Sequence, residues 1–210
     1  MIISFILPGR SMRYPIGGYK VVYEYANGLV KRGHQVNVIH PMLTYPEKAD
    51  YKHKLEMCCK WAVDFFLGIP KIKWFDISPK VKMLSIPVPE EKYIPDADVI
   101  IATSWQTAEW VNQYNAGKGE KYYLIQHYET WSGDEKRVEA SWKLPLKKIV
   151  ISKWLKDIAE KMGEQIAGYV PNGLNFNHLR IINPIDNRNP KRVGMLYSDI
   201  IWKGSKDGIK

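Results

Sequence analysis

A short apolar run, a glycine pair, an amphipathic stretch and a second glycine-led apolar run stand in that order at the start of this chain. Met1-Ile-Ile-Ser-Phe-Ile-Leu7 has strand length. Gly17-Gly18 then open a stretch through Lys31 whose apolar residues recur at helical spacing. Gly33-His34 closes that helix, and Gln35-Val-Asn-Val-Ile-His40 reads as a second strand before Pro41. Strand, glycine loop, helix and strand make one β–α–β unit, which requires parallel pairing across a crossover. The loop before such a helix suits an anion, because first-turn N–H groups are unpaired and glycine lets a ligand approach the backbone.

The same alternation continues. Leu55, Cys58, Cys59, Ala62, Phe65 and Phe66 predict a helix with one buried face, ended by Gly68 and Pro70. Residues 73–77 and 81–86 are strand candidates on either side of Ser78-Pro79. Asp98–Thr103 reads as a buried strand with Asp98 at its start, followed by a helix from Ser104 to about Tyr114. Lys121–His127 is the next strand. Residues 128–145 read as a loop with one short helix, and 148–151 as a strand. Ser152 stands as an N-cap for a helix carrying Leu155, Ile158, Ala159 and Met162 on one face, with Gly163 as its stop. These elements predict an α/β fold over residues 1–180, a Rossmann-like parallel sheet with helices on both faces. Residues 181–191, rich in Asn, Pro and Arg, read as a linker. Residues 192–210 read as the start of a second domain, with Val193–Tyr197 as a strand and a helix start after Lys203-Gly204. From this we expect the chain to be the front half of a two-domain enzyme.

In a parallel sheet, ligands sit at the carboxyl ends of the strands. Here those positions are Pro8–Gly18, Thr103-Ser104-Trp105, His127–Glu129, Ser152 and Asn172-Gly173. Cys58 and Cys59 are adjacent and lack metal-ligand spacing, so they read as reduced core residues of a cytoplasmic protein, with no metal site. The apolar N-terminal run has no basic leader and does not read as a signal peptide. A formal net charge of +9, with lysines clustered over 52–73 and 143–161, suits anionic partners or a solvated surface. Trp61, Phe65 and Phe66 beside Lys60, Lys71 and Lys73 fit either core packing or peripheral contact with an anionic membrane.

Five ordered segments resemble the N-terminal domain of a GT-B-fold glycosyltransferase of family 4, the group 1 transferases. They are Gly17-Gly18 with Gly33–Val38; Asp98–Thr103 with Thr107-Ala108; Tyr123–Glu129; Ile149–Trp154 through Val170-Pro-Asn-Gly-Leu-Asn175; and Val193-Gly194 with Lys203-Gly204. The resemblance implies a hexosyltransferase that moves a sugar with retention from a UDP-, GDP- or ADP-sugar to an acceptor hydroxyl of a glycan or lipid. It implies a role in polysaccharide, glycolipid or cell-surface glycan synthesis. No metal or other cofactor is obligatory, and no nucleic acid partner is expected. In that family the donor binds mainly to the C-terminal domain and the acceptor to the N-terminal one, so this fragment is expected to be inactive alone. The family's paired-glutamate motif is absent, Met195 follows Gly194 where an arginine is frequent, and Asn175 replaces a frequent aspartate.

Carried onto this chain, the resemblance implies donor-phosphate contacts at Gly17, Gly18 and Lys203, and a catalytic part for His127 beside the transferred sugar. Glu129 is the companion candidate, as acceptor ligand or base, with a surface carboxylate as the alternative. For His127 the alternative is a core histidine bonded to backbone, and for the glycine pair a turn that needs positive φ. Thr103, Trp105, Tyr128 and Asn172 are acceptor-side candidates. Trp105, Tyr128 and Trp131 fall in strand-end loops where aromatic faces could stack on sugar or simply pack. His34 reads as a local backbone partner, while His40, His53 and His178 have no marked context.

Two other classes stay open. One is a basic nucleic-acid- or membrane-binding α/β module, supported by the lysines and aromatics alone. The other is a GT-B sugar-nucleotide epimerase. An NAD-dependent oxidoreductase is disfavoured, since the first loop lacks Gly-x-Gly-x-x-Gly and His40 stands where a ribose-binding acid would end the second strand.

Overall fold

The computed structural model describes residues 1–9, 15–43, 50–66, 72–131, 133–176, 179–199 and 203–209, without the side chains of 53, 54, 57, 60, 61 and 64–66. Outside them fall part of the first loop, the expected helix stop at Gly68 and Pro70, His178, and the side chains of His53, Trp61, Phe65 and Phe66. The described residues divide into two compact units, Met1–Asn172 and Gly173–Lys210.

The first unit is an α/β structure built on a seven-stranded, all-parallel sheet. In chain order it runs β1 (Ile2–Ile6), α1 (Gly17–Lys31), β2 (Gln35–Pro41), α2 (Tyr51–Phe66), β3 (Val81–Ile86), β4 (Val99–Ala102), α3 (Trp105–Gln113), β5 (Glu120–Ile125), α4 (Glu135–Trp142), β6 (Lys147–Val150), α5 (Lys153–Lys161) and β7 (Ile166–Tyr169). The strand order is β3-β2-β1-β4-β5-β6-β7. The chain winds outward from β1 in one direction, returns, and winds outward from β4 in the other. This puts the topological switch point between β1 and β4, where α/β sheets open a crevice.

Strand alternation sorts the apolar residues into two cores. Ile3, Phe5 and Leu7 of β1 and its end, with Val36 and Val38 of β2, pack with Tyr19, Val22, Tyr23, Ala26 and Val30 of α1. Ile6, Ile39, Ile100 and Ala102 pack instead with Trp105, Ala108 and Val111 of α3, Val138 and Trp142 of α4, and Leu155 and Ala159 of α5. Helices therefore cover both faces, and the central strands are buried on both sides. One polar pair lies inside the sheet: Asn37 donates to Ser4 Oγ at 3.0 Å, joining paired positions of β1 and β2.

Glycines stop two of the helices. Gly33 has φ 86° and Gly163 φ 76°. The His34 amide returns to Leu29 O and the Glu164 amide to Ala159 O, satisfying last-turn carbonyls that would otherwise be orphaned. Asp98 sits at the head of β4, where its carboxylate accepts from the Ile2 amide at 2.7 Å.

Several expectations are corrected. Residues 73–77 are not a strand: 73–75 form bends and 76–77 are irregular. Ile72, Trp74, Phe75 and Ile77 pack as a strap on the α1 core, and Asn27 of α1 pins that strap by donating to Asp76 O and accepting from the Ser78 amide. Edge strand β7 adds to β6 across a register shift. Cys58 and Cys59 are free and exposed rather than core residues, and Leu55 on the same face is also exposed. Ser152 occupies the N-cap position of α5, but its side chain makes no cap bond. Among the described residues no helix is long and apolar enough to cross a membrane.

In the second unit, Val193–Tyr197 is not a strand, since no partner pairs with it and Val193 and Leu196 stand exposed. Gly204, at φ 66°, precedes the short helix α6 (Ser205–Ile209), and the Ser198 amide donates to Ser205 Oγ at 2.9 Å.

Candidate functional site

Two helices begin beside the switch point, and their N-termini differ. At α3 the end is closed. Ser104 is the N-cap, its Oγ accepts from the Thr107 amide, and Thr107 Oγ1 accepts from the Ser104 amide in return. Thr107 Oγ1 also accepts from the Thr103 amide at 2.8 Å. A further first-turn donor, the Trp105 N–H, is taken by Glu129 Oε2 at 3.0 Å. A carboxylate from the loop after β5 therefore occupies the positive end of α3.

At α1, among the described residues, no side chain caps the end. Ile16 is the N-cap and offers no side-chain acceptor, and no acidic residue lies in the first turn. The N–H groups of Gly17, Gly18 and Tyr19 have no intrahelical partner at this position. A Cβ at Gly17 would meet no atom within 4 Å among the described residues. Neither Gly17 nor Gly18 has positive φ, so no backbone conformation at these positions demands glycine. At Gly18 a first side-chain carbon would come into ordinary contact with Gln126. A Cβ there would lie 3.4 Å from Gln126 Nε2, and that amide donates to Gly18 O at 3.3 Å. Gln126, at the end of β5, thus spans from the sheet to the mouth of α1.

The floor between them is fixed by hydrogen bonds. Thr103 is buried, and its hydroxyl donates to Ile6 O at 2.7 Å, tying the ends of β4 and β1. His40 is buried at the end of β2. Its Nδ1 lies 3.0 Å from Gly9 O and its Nε2 3.4 Å from the Tyr23 hydroxyl, so it ties the loop after β1 to α1.

Glu129 is the electrostatic centre of this region. Burial pushes its carboxyl up to about 7, against the smaller opposing effect of the Trp105 hydrogen bond. Tyr19 of α1 and Tyr123 of β5 are raised by burial first and by the charge of Glu129 second. The carboxyl therefore lies in the field shared by the first turn of α1, the start of α3 and the end of β5.

His127 is exposed and is not a core histidine. Its ring centroid lies 4.2 Å from that of Trp131 and 5.1 Å from that of Trp154, edge-to-face in both cases. Trp105 is only 2% exposed; its indole packs in the core with the Arg137 guanidinium 4.9 Å from its ring, and its backbone N–H meets Glu129. Tyr128 is half-buried against the α3–α5 core, and its hydroxyl donates to Glu139 at 3.0 Å. Burial and that bond push it up to about 12. Asn172 is exposed beyond β7. Lys203 is exposed in the second unit.

The structure thus brings Gly18, Thr103 and Glu129 to the strand ends around the switch point and sets His127 on the loop that carries Glu129. Gln126, His40 and Trp154 had no assigned part in the sequence. Gln126 and His40 stand at strand ends, which was the available signal. Trp154 lies two residues past the N-cap of α5. Among the described residues, no cluster of His, Cys, Asp or Glu could hold a metal ion. The fold and the crevice define an α/β protein with a Rossmann-like parallel sheet. No protein-family model matches the chain, and no curated protein is significantly similar to it.

Proposed function

We propose that this chain is the acceptor-side part of a retaining, GT-B-type hexosyltransferase that takes a nucleotide-sugar as donor. The observation that carries this reading is the first turn of α1, which has no side-chain cap among the described residues and glycines at both leading positions beside Gln126, together with the raised Glu129 carboxyl near the switch point. Unpaired amides at a helix N-terminus stabilise a phosphate, and they do so most where charge develops on a leaving nucleoside diphosphate. In the transfer, the bond from the sugar's anomeric carbon to the phosphate oxygen breaks. A bond to the acceptor oxygen forms on the same face. The acceptor's proton passes to the departing phosphate or to Glu129, whose pKa near 7 lets it hold or release a proton at neutral pH. His127 donates to a hydroxyl of the transferred sugar.

The test is acceptor-dependent release of nucleoside diphosphate by the full-length enzyme, supplied in turn with UDP-, GDP- and ADP-sugars and a panel of glycan and lipid acceptors. Release that requires both acceptor and an intact Gly18 supports the proposal. No release with any donor, from enzyme that is folded by circular dichroism, removes it.

A further inference from the structure

Six tryptophans have described side chains. Trp105 and Trp142 are buried, and Trp74 and Trp110 are partly so. The remaining two, Trp131 at 50% and Trp154 at 44% exposure, are both packed edge-to-face on His127. They come from different parts of the chain, one from the loop after β5 and one from the first turn of α5, and they meet at neighbouring strand ends of the sheet. Half-exposed indoles are costly to leave in water, and their gathering around one imidazole marks a binding surface rather than scattered surface residues.

From this geometry we infer that Trp131, Trp154 and His127 form a stacking platform for a pyranose ring of the acceptor; this rests on the sugar-transfer reading above. The chemistry selects the occupant. Indole faces carry negative charge that attracts the weakly positive C–H groups of a sugar face. The imidazole between them supplies an acceptor nitrogen for a ring hydroxyl, its N–H being left for the transferred sugar. A wholly apolar ligand would bury that imidazole unpaired. A quaternary ammonium would also suit two indoles, but the platform sits on a chain of net charge +9, with exposed Lys153 next to Trp154. Ser152 adds a further polar group at the same strand end: its Oγ is buried and has no hydrogen-bond partner among the described residues.

The experiment is a titration of the protein with methyl β-D-glucopyranoside and methyl α-D-mannopyranoside, following the indole N–H signals of Trp131 and Trp154 and the imidazole C–H signals of His127 by NMR. Sorbitol and choline chloride are the control arms. A pyranoside is expected to shift all three residues together and saturably, with sorbitol and choline silent. W131A and W154A should each weaken binding at least ~10-fold, and W131F and W154F, which keep an aromatic face, should recover part of it. Both positions are exposed, so the variants should keep the parent circular dichroism spectrum. Absence of saturable shifts with either pyranoside overturns the inference, as does binding unchanged in both alanine variants or an equal response to choline. In the full-length enzyme, donor turnover with an unchanged acceptor KM in W131A and W154A removes the platform and leaves the transferase standing. Pyranoside binding without turnover of any donor does the reverse.

Discussion

Glu129 accepts a hydrogen bond from the backbone N–H of Trp105, so a carboxyl group raised to about 7 also closes the N-terminus of α3. The folded protein therefore binds this proton more tightly than the unfolded chain, whose carboxyl keeps the ordinary value of 4.5. Between these two values the native state holds more protons, and stability falls as pH rises through the window. The contribution is fully present below about 4.5 and gone above about 7, and its size is on the order of 3 kcal/mol. We predict that urea unfolding between these pH values shows this decline and that E129Q flattens it. A carboxyl carbon NMR titration of Glu129 with a midpoint near the ordinary carboxylate range would remove the effect.

Gly17 and Gly18 should respond differently to substitution. Both are helical, so neither change strains the backbone. Gly17→Ala meets no atom within 4 Å among the described residues and should raise stability by about 0.5–1 kcal/mol. Gly18→Val crowds Gln126 and fills the mouth of α1, so turnover by the full-length enzyme should fall far more than the melting temperature does. Parallel measurement of kcat/KM and Tm separates the two. A G18V enzyme with near-parent activity would show that no ligand approaches this turn.

His127 is exposed, so its removal should leave Tm unchanged. We predict that His127→Ala lowers kcat ~10²-fold or more, as expected for losing a donor aimed at the reacting sugar. The loss should appear equally in kcat and kcat/KM, because the contact strengthens in the transition state. Normal kcat in a folded variant would leave His127 as part of the aromatic platform only.

Much of the sheet was legible because its signals are local. The apolar runs of Ile2–Ile6 and Gln35–Pro41, and the stop glycines Gly33 and Gly163, need no tertiary context to be recognised. The misreadings have a common cause. Residues 73–77 carry the apolar content of a strand, yet Asn27 holds the following turn against α1, and that bond spans about fifty residues of sequence. Leu55, Cys58 and Cys59 have helical spacing, but spacing does not say whether a face meets the core. β7 contains Ala167 and Gly168, weak strand formers that pair because β6 offers an edge.

At the site, strand-end position pointed to Glu129 and His127. It could not show that Trp105 turns its indole into the core and its backbone amide to Glu129. Nor could it show that Gln126 reaches α1 across β1 and β4, or that Trp154 joins Trp131, since both depend on strand order.

The central claim, retaining transfer from a nucleotide-sugar, is tested most directly by following the anomeric proton of the product by NMR. The full-length enzyme is incubated with a donor of known anomeric configuration and its acceptor. The account predicts an acceptor-linked sugar with the donor's configuration, formed as nucleoside diphosphate appears. A product of inverted configuration, or donor consumed with no glycosidic bond formed, would contradict it.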